Sequence, residues 1–248
     1  MISNMVVTAS TQRLNFTNAL LIMAKRPTPG KAKTRLVPPL SPDQAAALYD
    51  CFLRDTLDLV RQVPHVQPVM AYSPGGAEGY FASLAPDLEH IPQRGPDLGA
   101  RLDNALTHYL NLGYQHVVAM NSDGPSLPLA HLTLAFENLS AGSDVVLGPS
   151  DDGGYYLIGL KRPAPRLLRE VRMSTPHVTI DTLTVAVEEG LRVALLPRWY
   201  DVDDATSLAR LVAELIEAPL DVAPHTRAFL ERHRELWRRL RGFQPHGY

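Results

Sequence analysis

Five basic residues stand close together in Lys25-Arg26-Pro27-Thr28-Pro29-Gly30-Lys31-Ala32-Lys33-Thr34-Arg35-Leu36, a Gly/Pro loop directly after the apolar run 19–24. A loop of this kind sets cations and unpaired backbone N–H groups at the C-terminal end of a strand, where open α/β sheets bind ligands. Its natural partner is a phosphate chain. Lys25, Lys33 and Arg35 are the candidates to neutralise a diphosphate or triphosphate, the arginine as a planar two-pronged donor and the lysines as point charges. Gly30 completes that phosphate-binding set. The whole chain carries a net charge of −2, so the positive charge is local. A solvated basic loop is the bland alternative. It is not a P-loop, because G-x-x-x-x-G-K-[ST] is absent.

Three acidic or glycine-rich clusters follow other apolar runs. Asn121-Ser122-Asp123 ends one of them, and a carboxylate there suits Mg²⁺ or Mn²⁺, which take oxygen donors and bridge to phosphates. A turn or helix-capping aspartate is the rival reading. Asp201-Val202-Asp203-Asp204 precedes a helix, so Asp203 or Asp204 is a candidate N-cap. A second carboxylate there, meeting Asp123 across the sheet, would complete a metal site. In Asp151-Asp152-Gly153-Gly154-Tyr155-Tyr156, Asp152 is a candidate base or acceptor-orienting group, and the paired glycines permit close approach of a ligand. A plain turn competes with that reading. Gly153, Gly154 and Tyr156 are the expected ligand contacts of that segment. Finally, Gly99 and Arg101, in a segment 95–101 that opens a helix, suit an anionic group, unless Asp97 simply caps it.

These clusters must be positioned by alternating strands and helices. Ser41-Pro42-Asp43-Gln44 has the form of a capping box with proline at the first helical position, opening a helix to about residue 63. Strands are expected at 67–72, 90–92, 116–120, 144–147, 155–160 and 192–196. Helices are expected at 77–84, 100–112, 128–139 and 179–189, after Asp203 and after Pro224. The alternation argues for a three-layer α/β/α sandwich with a mostly parallel, mixed sheet. No internal repeat breaks the pattern. Residues 1–17 are expected to be a disordered extension, 18–218 one domain, and 219–248 a helical extension packed on it.

Bulk composition narrows the class. The 248 residues are 45% hydrophobic and 20% charged, ordinary for a globular protein. One cysteine, Cys51, excludes an internal disulfide, and its place in an expected helix reads as a buried small hydrophobe. No apolar run reaches the roughly 18–20 residues that span a bilayer, and no signal-peptide pattern opens the chain, so a cytoplasmic protein is expected. Nine histidines show no H-E-x-x-H pairing, and no G-x-S-x-G occurs, which argues against zinc and hydrolase chemistry. The Arg-rich end, with Arg227, Arg232, Arg234, Arg238, Arg239, Arg241 and Trp237, reads as an exposed or interface helix. It leaves a homo-oligomer open and, without matching global charge, does not indicate nucleic-acid binding.

Taken in order, K-R-P-x-P-G-K-x-K-T-R-L, G-P-D-L-G-A-R, N-S-D-G-P, G-P-S-D-D-G-G-Y-Y-L-I-G-L and D-V-D-D resemble a bacterial glycosyltransferase-like family first defined as a domain of unknown function. Its members have the GT-A, or nucleotide-diphospho-sugar transferase, fold, and some are associated by name with arsenosugar biosynthesis. The resemblance covers about residues 18 to 215. The same order is similar to 2-phospholactate guanylyltransferases and, more distantly, to molybdenum-cofactor nucleotidyltransferases. The resemblance implies that Lys25, Lys33 and Arg35 contact nucleotide phosphates, that Asp123 is the metal-binding aspartate, and that Asp203 is the second one in the nucleotidyltransferase branch. Two positions depart from the pattern. The D-x-D of many GT-A enzymes is Asn121-x-Asp123 here, which implies weaker metal binding or reliance on Asp203. The threonine usual after the late aspartate pair is Asp204.

The expected function is a metal-dependent transferase using a nucleotide-activated donor, with Mg²⁺ or Mn²⁺ as cofactor. In the first form a sugar passes from a nucleoside-diphosphate sugar to a small-molecule acceptor, with Asp123 and Asp152 catalytic. In the second, an NTP joins a phosphorylated acceptor and pyrophosphate leaves. A non-catalytic nucleotide-binding protein is the third.

Overall fold

A computed structural model describes residues 16–235. The disorder expected of the N-terminal extension falls mainly on residues outside those described, as do Trp237, Arg238, Arg239 and Arg241.

The first apolar run is strand β1 (Asn18–Lys25), whose residues 19–22 are fully buried, as a central strand covered on both faces requires. Among the described residues, seven strands form one sheet. With β2 (Val66–Ser73), β3 (Glu89–Pro92), β4 (His116–Met120), β5 (Val145–Pro149), β6 (Tyr155–Leu160) and β7 (Val193–Leu195), the order is β3-β2-β1-β4-β6-β5-β7. All neighbours pair in parallel except β6, which runs antiparallel between β4 and β5. The direction of β6 has a functional consequence. Its start lies at the edge where the parallel strands end, so the turn preceding Tyr155 joins the loops that follow β1 and β4.

Helices cover both faces. On one side Leu20, Ile22 and Ala24 of β1 pack with α1 (Pro42–Val60), α2 (Glu78–Leu84), α4 (Leu129–Ser140), α7 (Ala205–Glu217) and α8 (Pro224–Arg232). On the other, Ala19 and Leu21 pack with α3 (Leu98–Asn111), α5 (Pro165–Arg169) and α6 (Val178–Glu188). The three-layer mixed sandwich is therefore present. The Ser41 capping box forms, with Gln44 N donating to Ser41 Oγ at 3.2 Å and Ser41 N donating to Gln44 Oε1 at 2.9 Å. Several boundaries differ from expectation, and one helix was not expected. Helix α1 stops at Val60 instead of residue 63, β5 continues to Pro149, and the five-residue α5 is too short to leave a periodic signal.

The last described helix is tied to α1 by one buried carboxylate. Asp55 accepts from His225 N at 2.8 Å, Thr226 N at 3.0 Å and Thr226 Oγ1 at 2.5 Å. It satisfies donors at the start of α8, where the N-cap residue Ala223 offers no side-chain acceptor. Asp55→Ala is expected to cost about 2–4 kcal/mol, because buried donors lose their acceptor. Calorimetric unfolding should show a fall in Tm of roughly 5–15 °C for a domain of this size; an unchanged Tm would contradict the clasp.

Candidate active site

The basic loop leaves β1 at Lys25 and is pinned by Arg26 N donating to Ser73 O at 2.8 Å. Gly30 adopts a left-handed φ of 71°, and buried Ala32 and Leu36 anchor the far side. Lys33 also has a left-handed φ, 50°, which costs a non-glycine residue about 1 kcal/mol. The turn sends its side chain inward, where only 5% of it is exposed.

There the Lys33 ammonium contacts the Asp123 carboxylate and lies 2.8 Å from Asp203 Oδ1. Arg35, mostly exposed, reaches Asp203 Oδ2 at 2.6 Å. The two carboxylates from opposite parts of the chain thus converge on one cation. Burial alone would depress the Lys33 ammonium, but the Asp123 and Asp203 carboxylates reverse this and hold its pKa above the ordinary value. Burial would raise the Asp203 carboxyl, yet Lys33 and then Arg35 bring it below the usual range.

Asp204, not Asp203, is the N-cap of α7, accepting from Ser207 N at 2.8 Å. That capping turns Asp201 and Asp203 toward the sheet edge. Asn121 Nδ2 donates to both Asp201 oxygens, at 2.9 and 3.0 Å, and Asn121 Oδ1 accepts from Asp123 N at 3.2 Å. An aspartate at 121 would set a carboxylate against Asp201, so the amide is the compatible residue. Burial, then the Asp123 charge, push the Asp201 carboxyl up to about 7. The native state therefore holds this proton while the unfolded chain releases it, and stability falls as pH rises between about 4 and 7. Asp201→Asn, unfolded in the presence of chelator, is expected to remove roughly 1–3 kcal/mol of that decline. Parallel pH profiles of Tm for both proteins would refute it.

These groups line a cleft of about 760 Å³. The structure brings Lys25, Lys33, Arg35, Arg101, Asp123, Asp152, Gly154, Tyr156 and Asp203 to its walls. Lys25 Nζ donates to Lys31 O at 2.8 Å and Arg101 Nε to Gly95 O at 3.2 Å, so neither charge is consumed by a carboxylate. Gly154 N donates to Asp152 Oδ1 at 2.9 Å, which orients that carboxylate at the cleft wall.

Other expected contacts have different surroundings. Gly99 lets α3 approach α5: a Cβ there would lie 1.9 Å from Leu168 O. Gly153, at φ 87°, allows an equally close approach of Pro176 O. Asp97 caps α3 through Ala100 N at 2.8 Å, so the first turn already has an internal partner. Tyr156 reaches the cleft wall, but its hydroxyl donates to Pro197 O at 3.0 Å and lies 3.1 Å from His131 Nδ1, in the core. Gly30 shapes the loop without lining the cleft.

Tyr49 went unanticipated. Its hydroxyl accepts from Lys25 N at 3.2 Å and lies 2.9 Å from Ser122 Oγ, joining the basic loop to the β4 loop. Burial, then the Asp123 charge, raise it to about 12, so it stays neutral. Its place in the apolar face of α1 made it indistinguishable from a core residue.

Among the described residues, no group of three or more His, Cys, Asp or Glu has the geometry of a metal site. The donor set nonetheless fits a hard divalent cation: Asp123 and Asp203 offer carboxylate oxygens converging on one position, which Lys33 fills. No helix among the described residues is long and apolar enough to cross a membrane.

Residues 56–175 match the family model DUF2064, described as an uncharacterized protein conserved in bacteria. A crystal structure of a candidate nucleotide-diphospho-sugar transferase from Desulfovibrio desulfuricans G20 superposes with a TM-score of 0.85 at 32% identity, covering 91% of this chain and 98% of that one. More distant is CMP:2-keto-3-deoxy-manno-octonic acid synthetase complexed with CTP, with a TM-score of 0.53, 12% identity, and coverage of 81% and 98%. The Rv0371c protein of Mycobacterium tuberculosis H37Rv, solved with manganese, gives 0.50, 18%, 79% and 97%. The last two show a shared fold only. No curated protein matches the chain significantly in sequence. The near-complete alignment with the Desulfovibrio protein places the chain in the DUF2064-bearing bacterial family of transferases with the nucleotide-diphospho-sugar transferase fold.

Proposed function

We propose that the protein is a glycosyltransferase moving a sugar from a nucleoside-diphosphate sugar to a small-molecule acceptor with the help of Mg²⁺ or Mn²⁺. The observation that carries this reading is the convergence of Asp123 and Asp203 on one cation position, in a cleft that also presents Lys25, Arg35 and Arg101. The manganese in the Rv0371c structure and the donor class named for the Desulfovibrio protein support it.

Lys25 and Arg101 hold the diphosphate, and Arg35 lies close enough to exchange Asp203 for a phosphate oxygen. A divalent cation, when bound by Asp123 and Asp203, supplies charge neutralisation for the departing nucleoside diphosphate. Asp152, oriented by Gly154 N, takes the acceptor hydroxyl proton on Oδ2. The acceptor oxygen bonds to the anomeric carbon as the bond from that carbon to the diphosphate breaks, and the electron pair leaves with the nucleoside diphosphate.

The Asp203–Arg35 contact also suits a second reading, in which the same cations hold an NTP and the acceptor phosphate attacks its α-phosphorus. Incubation with a panel of UDP- and GDP-sugars separates the two. Slow release of free nucleoside diphosphate is expected; pyrophosphate release from NTP and phosphorylated acceptors, with nucleotide sugars left intact, would favour the second.

A further inference from the structure

A second cleft, of about 520 Å³, opens between the turn at Ser150 to Asp152 and the face of α7. It shares Arg35, Asp152, Asp201 and Asp203 with the first, so the two spaces meet at the candidate base. A donor in the first cleft would have its transferable group at that junction, with the second cleft beyond it.

The charges of the two spaces differ. Besides Arg35, the phosphate-facing cleft contains Lys25, Lys31, Lys33 and Arg101. Among the described residues, the second is lined by five carboxylates and two guanidinium groups, Arg35 and Arg210. Both guanidinium groups are already engaged: Arg35 with Asp203 at 2.6 Å, and Arg210 with Asp151 at 2.5 Å. Arg210 also lies over the Tyr200 ring, 3.7 Å from its centroid, which holds the pair against the cleft floor. A divalent cation on Asp123 and Asp203 would leave the Asp152 and Asp204 carboxylates facing this space.

A separate observation points to a ligand. Ser150 lies in the wall of the cleft, is 1% exposed, and its hydroxyl has no hydrogen-bond partner among the described residues. A buried hydroxyl without a partner is uncommon and marks a place where an incoming polar atom completes the site.

We infer that the second cleft is the acceptor site and that it selects a small polyhydroxylated molecule carrying no negative charge. Hydroxyl groups find acceptors in the carboxylates and a partner in Ser150, whereas a phosphate or carboxylate group meets like charge with no uncommitted cation among the described residues of the lining. The inference rests on the glycosyl-transfer reading and excludes the phosphorylated acceptor of its rival.

Three matched probes test it: glucosamine, glucose and glucose 6-phosphate, which share a ring and differ in charge. Their affinities are measured by ligand-observed NMR on the wild type with Mg²⁺ and a nucleoside diphosphate, and again without nucleotide. Glucosamine and glucose are expected to bind, and glucose 6-phosphate about tenfold more weakly or less, with the gap closing at high salt. Ala213→Trp, on the exposed face of α7 lining the cleft, is expected to abolish binding of both non-anionic sugars while leaving nucleotide affinity unchanged. Equal affinity for glucose 6-phosphate, absence of binding by all three probes, or binding undisturbed by the tryptophan would overturn the inference. Calorimetry with nucleotide on the same samples keeps the two readings apart. Selective probe binding without nucleotide binding would remove the donor reading, and the acceptor role with it, and leave standing only the cleft's preference for non-anionic sugars.

Discussion

Asp123→Asn is expected to reduce turnover about a thousandfold or more and to abolish metal-dependent nucleotide binding, while the protein stays folded. The substitution keeps the size of the side chain, and the backbone at this position is held independently, because Val202 N donates to Asp123 O at 2.8 Å. Lys33 retains Asp203 as a partner, so no buried ammonium is stranded. What disappears is one of the two anionic oxygen donors that converge on the cation position. Loss of one preorganised electrostatic group at a site of developing charge costs on the order of 10²–10³ in rate. Loss of a divalent cation with it adds to that. Turnover measurements with metal titration check the rate, and calorimetry checks binding; undiminished metal-dependent binding would sink the assignment.

Lys33→Met is expected to move two affinities in opposite directions. In the wild type the ammonium already occupies the meeting point of Asp123 and Asp203, so a divalent cation must displace it. Without it, Mn²⁺ binding to the nucleotide-free protein should tighten by about tenfold or more, since two facing carboxylates gain a counter-charge. Nucleotide affinity should fall by roughly 10–100-fold, because an ammonium that the metal displaces from the two carboxylates is free to meet the phosphates. The fold should lose roughly 1–2 kcal/mol, less than a fully buried pair because both carboxylates are nearly one-third exposed. The pH dependence has a fixed sign. Asp203 is held below its ordinary range, so its contribution is complete above the unfolded carboxylate pKa and is lost as pH falls through the lower folded value. The stability gap between wild type and variant should thus be widest near neutrality and close in acid. Weaker Mn²⁺ binding by the variant would contradict the shared cation position.

The charged residues that build this edge were legible because each stands just past an apolar run, in a segment punctuated by Gly, Pro or Asn. Lys25, Lys33, Arg35 and Asp123 stood out by that position and their chemistry, whereas only the family resemblance singled out Asp203 from Asp201 and Asp204. Their pairing was not legible. Asn121 and Asp201 are 80 residues apart, and only the folded sheet shows that the amide at 121 answers a carboxylate at 201. Gly99 and Gly153 illustrate the opposite difficulty. A glycine beside a polar loop looks the same whether the space it leaves is for a ligand or for the Leu168 or Pro176 carbonyl. The alternation of strands and helices conveyed the three layers, but an apolar run such as Tyr155–Leu160 does not state its direction. The antiparallel course of β6 is what brings Asp152 to the same cleft as Asp123, and it is a property of the whole sheet.

Calorimetric titration of UDP, GDP, CDP, ADP and TDP into the wild type, with Mn²⁺ and with chelator, tests the central claim most directly. The account predicts saturable binding of at least one nucleotide that requires the metal and disappears in Asp123→Asn. Binding of equal strength in chelator, or no binding by any of the five with metal present, would contradict it.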